Sequence, residues 1–406
     1  MSEENKNSTN DNQARESTEK EILIDNNNDE KPEINASNIE ETLIKEIDKE
    51  IPKTSKRYFG IDLIRVVACF LVMQTHAGEI YYIEDNGDLI RNEKNIWPGI
   101  FNSLARVCVP LFVMISGYLL LPMKTDYSTF LKKRFTRVSF PFIAFCIFYD
   151  IYYYIRGVID VKTMLINIPK IFINYGSELG HLWFMYMIMG VYLLIPIFSP
   201  WIKSAKKEHF YFYFVIWLIS SFSCYIHLAF PQIWGEVYWN NNTVVQGFIG
   251  DFGYAVLGAF IKLHLKEKNL YILGIILYLI GSGFTMFGFL YKREEATTCE
   301  EIEVTWKFDS INVVIATFGV FLLLRKVECK NEKVVKIFND IALKSYRMYL
   351  IHIFFLQFFK YVFDAPNQFP LWCIFVIAIL TFITSYLVIK ALSYIPYSQY
   401  NRVIIK

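Results

Sequence analysis

The fold is decided by one apolar stretch, Asp62-Leu63-Ile64-Arg65-Val66-Val67-Ala68-Cys69-Phe70-Leu71-Val72-Met73-Gln74-Thr75-His76. It is hydrophobic enough to cross a bilayer as a helix, yet it carries an arginine and a histidine. A charged group in the hydrocarbon costs at least about 2.5–3.5 kcal/mol on insertion scales, so Arg65 indicates a functional site. At a rise of about 1.5 Å per residue, Arg65 and His76 would lie roughly 16 Å apart along the helix. The stretch therefore predicts chemistry that uses both sides of a membrane.

The rest of the chain has the composition of a polytopic membrane protein. Of its 406 residues, 54% are hydrophobic, 17% are aromatic and only 20% are charged. Many apolar runs approach the length of about 20 residues that a spanning helix needs. We therefore predict an all-α fold, an integral membrane helical bundle of about ten transmembrane helices. The predicted spans are 59–81, 100–122, 138–157, 180–200, 209–229, 246–264, 269–291, 308–325, 341–361 and 371–394.

The two ends of the chain are predicted to be tails around this membrane domain, which we place at 58–394. Residues 1–57 hold 15 acidic and 9 basic residues, and their polar composition predicts disorder over 1–38. Residues 39–51 have apolar positions on one helical face, which suits either a transient helix or one that lies on the membrane or pairs with a partner. Residues 395–406 are predicted to be a short tail with no appended soluble domain.

The orientation of the bundle follows from its basic loops. Lysine and arginine are concentrated in the loops after the even-numbered spans, whereas the loop near Glu300 is acidic. Because short cytoplasmic loops carry the excess of positive charge, both termini are predicted to be cytoplasmic. We expect a multi-pass protein of the cell membrane.

Polar residues on the first two spans form the predicted catalytic group. Asp62 and Glu79 lie three residues from Arg65 and His76, so each acid can pair with its neighbour on one helical face. Glu79 would orient the imidazole of His76 for acid–base chemistry. Arg106, on the second span, is predicted at the depth of His76, where it would either bind developing negative charge or hold His76 neutral as a base. Alternatively, the Arg106 side chain extends to the lipid headgroups.

A basic cluster follows the second span. Arg134 and Arg137 are three residues apart and would share a helical face, as suits a polyanionic phosphate ligand. Plain anchoring by positive charge at the cytoplasmic face explains the same cluster without any ligand, and sequence physics alone favours that explanation.

Two later histidines are weaker candidates for lining a substrate site. His181 is predicted at an outer span end beside Trp183, where an aromatic belt explains the pair nearly as well. His352 is predicted near mid-membrane, where it lines a cavity or makes a structural hydrogen bond. The histidines and the seven scattered cysteines show no metal-ligand spacing, so we predict no metal site.

These residues resemble the motifs of the membrane acyltransferase 3 family. Arg65 and His76, with ten residues between them, match its Arg/Lys-x10-His signature, and Arg134-x-x-Arg137 is similar to its cytoplasmic Arg-x-x-Arg motif. The blocks that resemble the family's second helix and two later segments are 106–118, 180–186 and 345–352. The resemblance covers roughly 58–394.

The resemblance implies an O-acyltransferase that takes an acyl group, with acetyl as the first expectation, from cytoplasmic acyl-CoA. It implies an envelope polysaccharide or lipid-linked glycan as the acceptor, as for stand-alone members such as the enterobacterial common antigen O-acetyltransferase. His76 would be the catalytic base or the acyl acceptor, and Arg106 or Ser116 would steady the oxyanion. Arg65, Arg134 and Arg137 would hold the phosphates of acyl-CoA. This co-substrate, the glycan and membrane lipids are the expected partners; no permanently bound cofactor and no nucleic acid are expected.

Two other function classes compete with the enzyme. A polytopic bundle with intramembrane charges suits a transporter or exporter of a polysaccharide or small solute. A transporter is expected to have transmembrane helices interrupted by glycine or proline at corresponding positions of two structural repeats. The sequence shows no convincing internal repeat. A sensor whose acidic tail binds a partner would rest on residues 1–57 alone.

Overall fold

The structure is a computed structural model that describes residues 58–84, 86–173, 177–222, 225–226, 248, 250–266 and 268–394. The predicted acidic tail 1–57, with its amphipathic stretch 39–51, lies outside the described residues, as does the predicted tail 395–406. The described part is helical and contains no β-strand, which confirms the all-α prediction. Its α-helices are α1 Phe59–Glu79, α2 Ile96–Ala105, α3 Cys108–Leu120, α4 Tyr127–Ile155, α5 Val161–Lys170, α6 Trp183–Ser204, α7 Lys207–Ser220, α8 Phe252–His264, α9 Tyr271–Lys292, α10 Cys299–Ile302, α11 Ile311–Leu324, α12 Glu332–Val362 and α13 Pro370–Leu392.

Seven helical segments of the described part are long and apolar enough to cross a membrane. They are Phe59–Glu79, Glu93–Leu120, Tyr127–Ile155, Gly180–Ser204, Tyr271–Lys292, Val304–Leu324 and Pro370–Leu392. The other three predicted spans fall on α7, α8 and α12. Helices α7 and α8 have 14 and 13 residues, fewer than a span needs. Helix α12 has 31 residues, but charged residues fill much of its first half.

Helix α1 occupies the middle of the bundle and packs against α2, α3, α11, α12 and α13. Its 21 residues correspond to about 31 Å, close to the thickness of the hydrocarbon core. It contains no proline, and its apolar residues are buried on several sides. A helix surrounded in this way can hold polar side chains within the protein rather than against lipid.

The second predicted span, 100–122, is broken in the structure. Helix α2 ends at Ala105 and α3 begins at Cys108, with Arg106 and Val107 in the break. Pro110 lacks the N–H that would otherwise donate to the carbonyl of Arg106, so the helical hydrogen-bond pattern is interrupted at that residue. The predicted span at 100–122 is nevertheless confirmed, because the segment Glu93–Leu120 is long and apolar enough to cross a membrane, and the break near its middle carries the buried Arg106.

Helices α3 and α8 approach each other backbone to backbone. A Cβ atom on Gly117 would overlap the carbonyl of Ala255, and one on Gly258 would overlap the carbonyl of Met114. Only glycine permits this approach, so the contact fixes α3 against α8.

Candidate functional site

Two cavities lie along α1. The first, which we call the histidine pocket, encloses about 610 Å3, and the second, the arginine pocket, about 260 Å3. The histidine pocket is lined by His76, Glu79, Arg106, His181, Trp183, Asp251, Cys299, Glu300, Glu303, Trp306, Lys307, Phe308 and Asp309, among others. The arginine pocket is lined by Arg65, Phe112, Ile115, Ser116, Arg134, Arg137, Ile188, Lys344 and Arg347, among others.

His76 and Glu79 form a hydrogen-bonded pair in the histidine pocket. Nδ1 of His76 lies 2.6 Å from Oε2 of Glu79. Because a carboxylate only accepts, Nδ1 donates in this bond, and in the neutral imidazole Nε2 then carries the lone pair. A histidine fixed in this tautomer by a carboxylate can accept a proton from a substrate hydroxyl through Nε2. The pairing predicted from the three-residue spacing is present.

His352 and His181 lie beside His76. The ring centroids of His76 and His352 are 5.2 Å apart, and those of His352 and His181 are 5.8 Å apart. Nδ1 of His352 donates to the carbonyl of Tyr349, and its Nε2 contacts no hydrogen-bonding partner within the described residues. His181 lines the histidine pocket, whereas His352 is fully buried behind His76 and lines neither pocket.

Arg106 is buried in the wall of the histidine pocket. Its side chain is only 9% exposed, its guanidinium lies 4.4 Å from the centre of the Trp306 ring, and Nη2 lies 3.7 Å from Oε2 of Glu303. The hydroxyl of Tyr82 donates to Oε1 of Glu303 at 2.5 Å. The alternative in which Arg106 extends to the headgroups is therefore wrong: a carboxylate and an aromatic ring hold the cation inside the protein.

The remaining wall of the histidine pocket is acidic and aromatic. Asp251, Glu300 and Asp309 line it, and Glu300 pairs with Lys307 at 3.3 Å. Trp183 is 43% exposed and stacks on Phe308, with ring centroids 5.7 Å apart. Exposed aromatic faces and carboxylates suit the apolar faces and hydroxyls of a sugar, whereas the acidic wall disfavours a polyanion.

The arginine pocket has the opposite charge. It gathers Arg134 and Arg137 from α4, Lys344 and Arg347 from α12, and Arg65 from α1, whose Nη1 lies 3.7 Å from Oδ1 of Asp62. Of the described residues that line this pocket, none is a carboxylate. Convergence of five cationic side chains from three helices is more than membrane anchoring requires, and it suits a ligand with several phosphates.

Ser116 lies in the arginine pocket, whereas Arg106 lies in the histidine pocket. The hydroxyl of Ser116 donates to the carbonyl of Phe112 at 2.9 Å. The two residues predicted as alternatives for the oxyanion role are thus in different pockets.

Phe184 on α6 and Tyr349 on α12 line both pockets. Their ring centroids are 5.4 Å apart, with the planes at 73°. We call this pair the aromatic partition, because it lies where the two pockets meet. Phe184 is 8% exposed and Tyr349 is 6% exposed.

Sequence reasoning missed Glu303, Tyr349, Lys344 and Arg347. Nothing local in the sequence connects Glu303 to Arg106. A signal for Tyr349 was available, because it lies three residues before His352 and such residues share a helical face. Arg347 lies in the same block, on a turn that points toward the arginine pocket.

Comparison with known proteins gives one match. A family model described as an acyltransferase domain matches residues 58–390, which include every residue of both pockets except Ser393. No curated protein and no solved structure matches the chain.

Proposed function

Because this chain belongs to the acyltransferase 3 family, we propose that it transfers an acetyl group from acetyl-CoA to a hydroxyl of an envelope glycan or its lipid-linked precursor. The proposal rests on the different polar residues that line two adjoining pockets. One holds a carboxylate-oriented histidine, and the other holds five cationic side chains. An acyltransferase with a polyanionic donor and an uncharged acceptor needs both environments.

The donor belongs in the arginine pocket. Coenzyme A carries several phosphate charges, which Arg134, Arg137 and Arg347 can bind through charge-assisted hydrogen bonds. A cavity of about 260 Å3 is below the usual range for a whole ligand of this size, so only part of the donor fits inside it. The nucleotide would remain at the open end of the pocket, with the pantetheine arm directed along Phe112 and Ile115 toward the aromatic partition.

The acceptor belongs in the histidine pocket. There, Nε2 of His76 takes the proton of the acceptor hydroxyl as the oxygen attacks the thioester carbonyl. The negative charge that forms on the carbonyl oxygen can be stabilised by the buried cation of Arg106. When the carbon–sulfur bond breaks, the ester is complete and the coenzyme A thiolate recovers the proton from His76.

The same lone pair of His76 is competent as a nucleophile. In that route, Nε2 attacks the thioester, coenzyme A leaves, and the acyl-imidazole passes its acyl group to the acceptor. The two routes differ in one observable, since only the second accumulates acylated protein when acceptor is absent. Acid quenching and mass spectrometry of the intact protein after mixing with acetyl-CoA distinguish them.

We place this reaction in the cell membrane, with both termini in the cytoplasm. The basic loops of the sequence support that orientation, and it puts the arginine pocket at the side where acyl-CoA is made. The acceptor would reach the membrane domain itself, as for the stand-alone enzyme type of the enterobacterial common antigen O-acetyltransferase.

The test is to express wild type, His76→Ala and His209→Ala in the host and to quantify ester-linked acyl groups on its envelope glycans. His209 is an exposed histidine at the start of α7 and serves as the matched control. Loss of the ester only in His76→Ala, at normal protein level in the membrane, would support the proposal. Persistence of the ester, with failed export or uptake of a glycan, would overturn it in favour of a transporter.

A further inference from the structure

The two pockets meet at a pair of aromatic residues. Among the residues that the structure describes, Phe184 and Tyr349 are the two that line both cavities, and their rings meet edge to face. In the proposed function, the thioester carbonyl must stop at this point, where an acceptor hydroxyl beside His76 can attack it, and its acyl group lies between the two rings. The size of the opening here therefore decides which donors react.

Both rings are held in place by hydrogen bonding or by packing against neighbouring rings. The hydroxyl of Tyr349 donates to the carbonyl of His181, and its ring stacks on His352 at 5.4 Å. The ring of Phe184 packs against Phe112 at 5.9 Å. Side chains held by a hydrogen bond and by close packing leave little room for an additional group.

We propose that the aromatic partition, Phe184 and Tyr349, determines the length of the transferred acyl group and restricts it to acetyl and similarly short chains. This inference rests on the proposed function and extends it to donor specificity. The rings need to yield space for only a methyl and a carbonyl when the donor is acetyl-CoA. A longer chain would displace at least one packed ring, although the apolar walls would otherwise favour each added methylene.

The partition also discriminates by charge. A dicarboxylic acyl group such as succinyl would carry its carboxylate between two aromatic rings with no hydrogen-bond donor from either ring. Burial of an unpaired carboxylate is strongly unfavourable. We therefore expect succinyl-CoA to be a poor donor even though its chain is short.

The experiment uses host membranes that contain the natural acceptor and the full-length protein, with the chromosomal gene deleted. Radiolabelled acetyl-, butyryl- and octanoyl-CoA are added, and acyl transfer to glycan is measured for wild type, Phe184→Ala, Phe184→Leu and Phe198→Ala. Phe198 lies on the same helix as Phe184, packs against Phe252 and lines neither pocket, so it is the matched control. Membrane levels of each variant are measured, and Phe184→Leu covers the case in which Phe184→Ala does not fold.

Wild type should prefer acetyl over octanoyl by about tenfold or more, a discrimination in the range that pocket shape provides. Phe184→Ala or Phe184→Leu should reduce this ratio at least about fivefold by raising octanoyl transfer, whereas Phe198→Ala should preserve it. If wild type used the three donors equally, or if the changes at position 184 left the ratio of acetyl to octanoyl transfer unaltered, the role of the aromatic partition would be overturned. The proposed function would not be affected by either result. Absence of transfer from every donor would instead overturn the proposed function.

Discussion

Arg65 and His76 lie on nearly the same face of α1 and line different pockets. Eleven residues at about 100° each complete three turns with an offset of only about 20°. One helix face thus serves the arginine pocket near its beginning and the histidine pocket near its end. The donor phosphates bound near Arg65 and the proposed catalytic His76 are therefore separated by the length of α1 between these two residues, and the acyl end of the donor must extend over that length.

Glu79 is predicted to support acyl transfer through His76. Glu79→Gln should lower the transfer rate by about tenfold to a hundredfold, because the amide still accepts from Nδ1–H but no longer stabilises the imidazolium formed during reaction. The rate is measured with acetyl-CoA in membranes of the deletion host. Glu84→Gln, an exposed carboxylate outside the pocket, is the control. Full activity of Glu79→Ala would contradict the assigned role.

Arg134 and Arg137 are predicted to bind the donor. Each change to Gln should weaken coenzyme A binding by about tenfold, which corresponds to about 1.4 kcal/mol for a lost charge-assisted contact. Binding is measured by titration of purified protein in nanodiscs. Lys133→Gln removes the same charge from an exposed neighbouring position and should leave the affinity within about twofold. Equal effects at 133, 134 and 137 would indicate membrane anchoring instead.

The ion pair of Arg106 with Glu303 is predicted to stabilise the fold. Glu303→Gln leaves a buried guanidinium without its carboxylate and should lower the free energy of unfolding by about 1–3 kcal/mol, less than for a fully buried pair because Glu303 is 30% exposed. The midpoint of thermal unfolding of purified protein reports the change. Glu300→Gln is the control, since Glu300 is 83% exposed and pairs at the surface with Lys307. Equal shifts for both variants would refute the prediction.

The thiol of Cys299 is predicted to report on the charge of the histidine pocket. Burial, and then the negative charge of Glu303, Asp88 and Glu79, raises the pKa of Cys299 above its usual value. A raised pKa means less thiolate at pH 8, so alkylation by iodoacetamide should be slower than for a solvated thiol. Glu303→Gln should lower this pKa and accelerate alkylation roughly twofold to fivefold. Peptide mapping by mass spectrometry measures the rate, with Cys329 as internal reference; an unchanged ratio of the two rates would contradict this account.

Much of the architecture could be predicted because it depends on local composition. The bounds of α1, α9 and α13 fall within a few residues of their predicted spans, since each is a continuous apolar run. The ion pairs on α1 were also predictable, because a three-residue spacing fixes neighbours on a helix. The break before α3 has a local signal in Pro110. The hydropathy pattern from which the spans are predicted does not reveal it, because the run stays apolar across the break.

The composition of each pocket depends on contacts that sequence spacing does not encode. Glu303 lies almost two hundred residues after Arg106, and the two meet only because α9 and α11 pack together beside α2. Ser116 follows Arg106 by ten residues, and the nearly three helical turns between them place it in the other pocket. Lys344 and Arg347 join Arg134 only through the packing of α12 near α4.

The backbone contact of Gly117 and Gly258 has a mechanical consequence for the bundle. Since a methyl group at either position would overlap the facing chain, neither α3 nor α8 can rotate or slide without carrying the other. The two helices should therefore move as one unit. Phe184 and Tyr349 lie on α6 and α12, so the space between their rings can change without any displacement of α3 against α8.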